Sequence, residues 1–371
     1  MTVNTDFSRA RSALLVPQDR QRVRQRWLSE APILVTGATL FVICIALLLS
    51  KGILPTLEGV WVNARLFALF AIVILAADAG IQLFRHRPQS PIEHLKARCF
   101  NANARAIIVA GAPMLAVAIV LLPYFSKMKA AIPLFNAYTW DDTFIQWDRG
   151  IFFGYDAWQI VQPLVGFPIV TAFLALLYQL WFLLLYPGIL FFALAKVDPV
   201  VRRQFFLSYV LSWTLIGGLM ATFLASVGPC FVGPMLGDPR FDEQMAYLEA
   251  ANEQYPVMTL KVQAMLLDWY AAAEDGLGSG ITAMPSMHCA IAFLYWIAMR
   301  RVSARWGAFF GVFFFVTWLS SVHLAYHYAV DGLVSVLAVA IIWATSRHVI
   351  AAWDVWLERQ ATFRTKTAPA E

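Results

Sequence analysis

The sequence predicts an all-α, polytopic membrane helix bundle of about eight transmembrane helices with both termini cytoplasmic, and three observations carry that prediction. Of 371 residues, 60% are hydrophobic and 14% charged, with a mean hydropathy of +0.64; a soluble domain does not sustain such a composition. Apolar runs long enough to cross a hydrocarbon core of ~30 Å recur along the chain. The basic residues concentrate in alternate connecting segments, the mark of loops retained in the cytoplasm.

The first run, residues 31–50, is of spanning length and no A-x-A cleavage site follows it, so it reads as a retained anchor and not a signal peptide. Further spans are expected at 66–84, 106–124, 167–195, 204–225, 284–299, 306–323 and 329–346, the sixth being the shortest. One face collects Arg9, Arg11, Arg20, Arg22, Arg24, Arg26, Arg85, Arg87, Lys96, Arg98, Arg105, Lys196, Arg202, Arg203, Arg300, Arg301, Arg305, Arg347, Arg359, Arg364 and Lys366, which is 21 of the 28 basic residues. The other holds seven: Lys51, Arg65, Lys127, Lys129, Arg149, Arg240 and Lys261. The organisation expected is a basic cytoplasmic tail (1–30), a membrane domain (31–346, with its core at 204–346) and a second cytoplasmic tail (347–371). The net charge of +5 records this topology, and no aromatic-interleaved basic patch points to nucleic acid. Asp78, in the inner third of the second span, reads as an interhelical hydrogen-bonding group.

Two long segments face outward. Within residues 125–166, Trp140, Phe144, Trp147 and Ile151 recur at helical spacing against Asp141, Asp142, Asp148 and Arg149, which predicts an interfacial amphipathic helix. Residues 226–283 open with SVGPC and close with a glycine-spaced stretch, Gly276, Gly278 and Gly280, that permits a tight entry to the next helix. Cys44, Cys99, Cys230 and Cys289 have no C-x-x-C spacing, so neither a disulfide framework nor a zinc site is signalled.

The chemistry concentrates on histidines. His86, His94 and His348 belong to the cytoplasmic face; His288, His323 and His327 belong to the outer one. The chain crosses after His288, turns at Arg300–Arg305 and returns with SSVHLAYHYAVD, so two distant stretches reach one membrane level. His327 and Asp331 are spaced i, i+4, which lets the carboxylate hold one imidazole nitrogen and fix the tautomer of the other. An acid inside a span is costly, and its default reading is functional.

Pro285, Ser286 and His288 in PSMH, with His327 and Asp331 in HYAVD 39 positions beyond His288, resemble the second and third signatures of the type 2 phosphatidic acid phosphatase superfamily of membrane lipid phosphatases and phosphotransferases. PSMH and HYAVD are similar to the inositol phosphorylceramide synthase branch, which tolerates a bulky apolar residue where phosphatases carry Gly. The resemblance covers roughly residues 226–335. It implies that His327 attacks phosphorus to form a phosphohistidine, that Asp331 orients it, and that His288 protonates the leaving oxygen and then activates the acceptor. Ser286 and backbone N–H groups of the sixth span's N-terminus would hold phosphate oxygens.

The family's K-x6-R-P signature is absent, and its S-R-x5-H reads Ser320, Ser321, five residues, His327, so Ser321 stands where an Arg is expected. Arg240, Lys261, a protonated His323 and the backbone amides of Ser226–Cys230 are the candidates to bind phosphate instead. The deficit of positive charge leans toward phosphodiester transfer. The expected function is phospho-headgroup transfer from a phospholipid to a lipid alcohol; the alternatives are a lipid phosphate or prenyl diphosphate phosphatase with water as acceptor, and a non-catalytic lipid-binding or transport protein. No cofactor and no metal are expected, since no H-E-x-x-H or similar ligand spacing occurs. The expected location is the cell inner membrane, with the site facing the periplasm or exterior.

Overall fold

The computed structural model of the chain describes residues 17–99, 101–274 and 276–367; it is 83% helix, with no strand among those residues. The chain opens with α1 (Pro17–Ser50), α2 (Glu58–His86), α3 (Pro91–Cys99) and α4 (Ala102–Ala130), followed by the single turn α5 (Ile132–Phe135). Two short helices, α6 (Asp141–Ile151) and α7 (Ala157–Val165), lead to α8 (Pro168–Leu194). Pro199 at the first position and the Asp198 carboxylate on the N–H groups of Val200 and Val201 start α9 (Pro199–Leu211). It runs on as a π-helical stretch, Ser212–Met220, into α10 (Ala221–Phe223). The second long connecting segment carries α11 (Pro229–Phe231), α12 (Asp242–Gln254) and α13 (Met258–Ala272), and α14 (Met287–Val302), α15 (Ala304–His323) and α16 (Ala329–Thr367) follow.

Seven helices among the described residues are long and apolar enough to cross a membrane, where eight spans are expected from sequence. The difference is α14, which has 16 residues and rises about 24 Å at 1.5 Å per residue, short of the ~20 residues a lipid-facing span needs. It does not face lipid: Ala290, Ile291, Ala292 and Leu294 are fully buried. A helix wrapped in protein is released from the length that lipid imposes on its neighbours. It forms a hairpin with α15 through Ser303, and Gly307 allows the close approach, since a Cβ there would lie 2.7 Å from the Arg300 Cα. His288 in its first turn lies near His327 beyond the far end of α15, with ring centroids 6.4 Å apart. The two helices therefore traverse the same depth.

Both terminal segments meet at one end of the bundle. The Arg26 and Arg202 Nε atoms pair with Glu30 Oε1 at 2.9 and 3.1 Å, Arg203 Nη2 donates to Asp354 Oδ2 at 2.8 Å, and Trp353 Nε1 donates to the Leu28 carbonyl at 2.9 Å. Helices α1 and α16 run unbroken through the expected tail boundaries at 30 and 347. Arg9 and Arg11 lie outside the described residues. Asp78 bonds to Arg98 of α3, at 2.8 and 3.0 Å, instead of to another span. All four cysteines are free.

Helix α6 turns a different face inward from the aromatic stripe that its sequence suggests. Asp141, Phe144, Ile145 and Asp148 are buried, whereas Trp147 and Ile151 are exposed. The two acids are inward because they satisfy backbone donors that have no other partner. Asp141 accepts from Val227 N, Gly228 N and Tyr328 Oη; Asp148 accepts from Ala329 N and Val330 N, each at 2.8 Å, capping α16. Burial pushes the Asp148 carboxyl up to about 7, against the opposing pull of those two N–H groups.

Glu30→Ala leaves Arg26 and Arg202 unpaired in a buried setting and should cost about 3 kcal/mol or more, read as a lowered unfolding midpoint in detergent; an unchanged midpoint contradicts the ion network's role. Because the folded-state Asp148 value lies above the ordinary carboxylate value of ~4, its stabilising contribution is complete below pH ~4 and lost as pH rises through about 7. The stability of the natural protein relative to Asp148→Asn should therefore fall between about pH 4 and about pH 7 and level off above, and a difference independent of pH contradicts the assignment.

Candidate active site

The loop between α15 and α16 presents His327. Helix α15 ends at His323, Ala325 takes a left-handed conformation (φ 60°), and α16 begins at Ala329. Asp331 thus sits in the first turn of α16 and reaches back: its Oδ2 accepts from the Tyr328 backbone N–H at 3.0 Å and meets His327 Nδ1 at 3.1 Å. This is the carboxylate half of a capping box, and it does two jobs, closing the helix start and orienting the ring. A proton on Nδ1, donated to Asp331, would leave the lone pair of His327 on Nε2.

His288 approaches from the start of α14. Ser286 is the residue that caps this helix, accepting from Cys289 N at 3.4 Å, and it is fully buried. The Trp181 indole donates to the His288 carbonyl at 3.1 Å. The imidazole stacks on Tyr178 at 4.4 Å between centroids and contacts Trp181 at the same distance. Ser335 Oγ donates toward both Ser286 O (2.9 Å) and Asp331 O (2.7 Å), coupling the starts of α14 and α16. The two histidine rings, 6.4 Å apart, are close enough to contact one phosphate group from two sides.

Both rings line a cavity of about 140 Å³ whose walls are mostly aromatic and aliphatic, including Phe125, Tyr178, Trp181, Phe182 and Trp213. Gly217, in the π-helical stretch, is needed for the space: a Cβ there would come 2.5 Å from the Phe125 ring and 2.9 Å from Met287 Sδ. Lys129, from the last turn of α4, also lines the cavity, and among the described residues no carboxylate does.

The substrate-binding residues suggested by sequence do not gather here. Ser286 spends its hydroxyl on the helix cap and does not line the cavity. His323 is four residues from His327, but the left-handed turn at Ala325 separates their directions; its Nε2 bonds to Thr171 Oγ1 at 2.9 Å instead. Arg240 pairs with Asp156 and Asp238 at 3.7 and 4.0 Å, and Lys261 is exposed on α13, away from the cavity lining. The amides of Val227 and Gly228 are taken by Asp141, and that of Cys230 by the Ala325 carbonyl. Lys129 escaped notice because a lysine near the outer end of a span reads as a topology charge. Asp141 and Asp148, seven apart and hence on one helix face, carried a detectable signal that the aromatic stripe obscured.

No curated protein and no solved structure matches the chain. A family model, that of the PAP2 superfamily, matches residues 142–345. That stretch begins in α6, closes inside α16 and encloses both histidines and Asp331. Since it covers more than half of the chain, this integral membrane protein belongs to the PAP2 superfamily and is an enzyme of its phosphatase and phosphotransferase type.

Proposed function

We propose that the protein moves a phospho-headgroup from a phospholipid to a lipid alcohol through a covalent intermediate on His327, as inositol phosphorylceramide synthase does. The observation that carries the reading is the pair of histidine rings 6.4 Å apart at one apolar cavity, one of them held at Nδ1 by a buried carboxylate. In the first step His327 Nε2 attacks phosphorus, the bond from phosphorus to the lipid oxygen breaks, and His288 in its protonated form gives that oxygen its proton. In the second, neutral His288 removes a proton from the incoming hydroxyl, whose oxygen attacks phosphorus and breaks the N–P bond. Apolar walls suit a lipid acceptor better than water. The excess of basic residues at the end where α1 and α16 meet supports cytoplasmic termini and tails. The cavity would then face the periplasm or cell exterior.

His327→Ala should lower turnover by at least roughly a thousandfold, because the nucleophile is lost; retained activity contradicts the mechanism. Asp331→Asn, which allows the wrong tautomer, should cost on the order of a hundredfold or more. With purified protein in mixed micelles, product should form when diacylglycerol or ceramide is supplied as acceptor. Free headgroup phosphate released equally well without a lipid alcohol would instead support the water-using phosphatase. Chelation should leave the rate unchanged, since each proton and bond above is handled by side chains.

A further inference from the structure

Arg149 and Arg240 both face Asp156, whereas the Lys129 ammonium group, which lines the cavity, makes no hydrogen bond or ion pair to a described residue. It is held in place nonetheless. The loop bearing Gly278 and Gly280 packs onto the end of α4: the Gly278 N–H donates to Ser126 Oγ at 3.0 Å, and Gly280, at φ +87°, lies so close that a Cβ would sit 2.6 Å from Ala130 N and 2.7 Å from the Lys129 carbonyl carbon. The ammonium group thus belongs to the same apolar cavity as His288 and His327. A lysine in such a setting, with no carboxylate among the described residues of the wall, is unfavourable until an anion joins it. Two further cavity residues, Tyr178 and Trp213, carry buried side-chain donors, Oη and Nε1, without hydrogen-bond partners. A donor-rich wall without an anion is a site for one.

We propose that Lys129 is the phosphate-binding cation of this enzyme, supplied by α4 in place of the arginine that Ser321 replaces, and that its single charge selects a phosphodiester monoanion over a phosphomonoester dianion. The inference rests on the phosphoryl-transfer reading above. Its residue lies outside the stretch 142–345 that matches the family. The charge count supports the selectivity. When His288 holds the proton that it gives to the leaving oxygen, it and Lys129 carry one positive charge each against one negative on Asp331, so in that reacting form a monoanion brings the site to neutrality and a dianion overshoots it. In a low-dielectric cavity the overshoot is strongly disfavoured.

The test separates binding from turnover by using the full-length chain with His327→Ala in detergent micelles. Phosphatidylinositol (a diester), phosphatidic acid (a monoester) and diacylglycerol (no phosphate) are titrated, with the shift of the thermal unfolding midpoint as readout. Adding Lys129→Met should weaken phosphatidylinositol at least about tenfold, the loss of one charge-assisted contact, while diacylglycerol binds as before. Lys129→Arg should restore most of the loss, and Lys129→Gln should behave as Met does. Phosphatidylinositol should bind the His327→Ala protein more tightly than phosphatidic acid at neutral pH. Equal phosphatidylinositol affinity with and without Lys129 overturns the cation assignment, and equal or tighter phosphatidic acid binding overturns the charge selection. Turnover by the His327→Ala protein would count against the phosphohistidine reading alone, since the binding comparison does not depend on it.

Discussion

The site depends on one buried carboxylate. Asp331 is fully enclosed, and its Oδ2 takes both the His327 ring and the Tyr328 backbone N–H. A carboxylate removed from water is costly unless hydrogen bonds and a partner recover the lost hydration. The fold supplies them by bending the chain at Ala325, so that the residue before α16 and the histidine before it both turn toward the same oxygen. Asp148 of α6 then takes the next two N–H groups of α16, and Ser335 ties this helix start to that of α14. The position of one histidine relative to the other is thereby fixed through backbone contacts as much as through side chains.

Much of this was legible in the sequence because the relevant signals are local. Spanning helices announce themselves by length and apolar content, and the spacing of His327 and Asp331 permits their contact whether the intervening turn is helical or, as found, a helix cap. Other features depend on what surrounds a segment. The shortness of α14 is tolerated because protein encloses it, which its own residues do not reveal. His323 has the right type and spacing, yet the left-handed turn directs it to Thr171. Arg240 and Lys261 stand in the segment that leads to PSMH, yet neither lines the cavity. The backbone amides of Val227 and Gly228 do form an anion site, but the anion is the chain's own Asp141.

The missing arginines acquire a physical explanation from the cavity itself. An enzyme that holds phosphate at a wet surface needs several cations, because water weakens each. Here aromatic and aliphatic walls enclose the histidines, so on the proposed reading one lysine and a proton-donating imidazole would act at short range with little screening. The same walls would suit lipid chains on both donor and acceptor. The proposed diester substrate and lipid-alcohol acceptor would then follow from one property, a low-dielectric site with few charges.

The central claim is that His327 carries phosphorus between two half-reactions. Brief incubation of the purified protein with a phospholipid radiolabelled at phosphorus, without acceptor, followed by alkaline denaturation, tests it directly. The account predicts label bound to the chain, stable in base, released in acid as expected of a phosphoramidate, mapped to His327 and discharged when a lipid alcohol is added. Turnover of the same preparation with no label trapped at any time, or with label on a different residue, would contradict it.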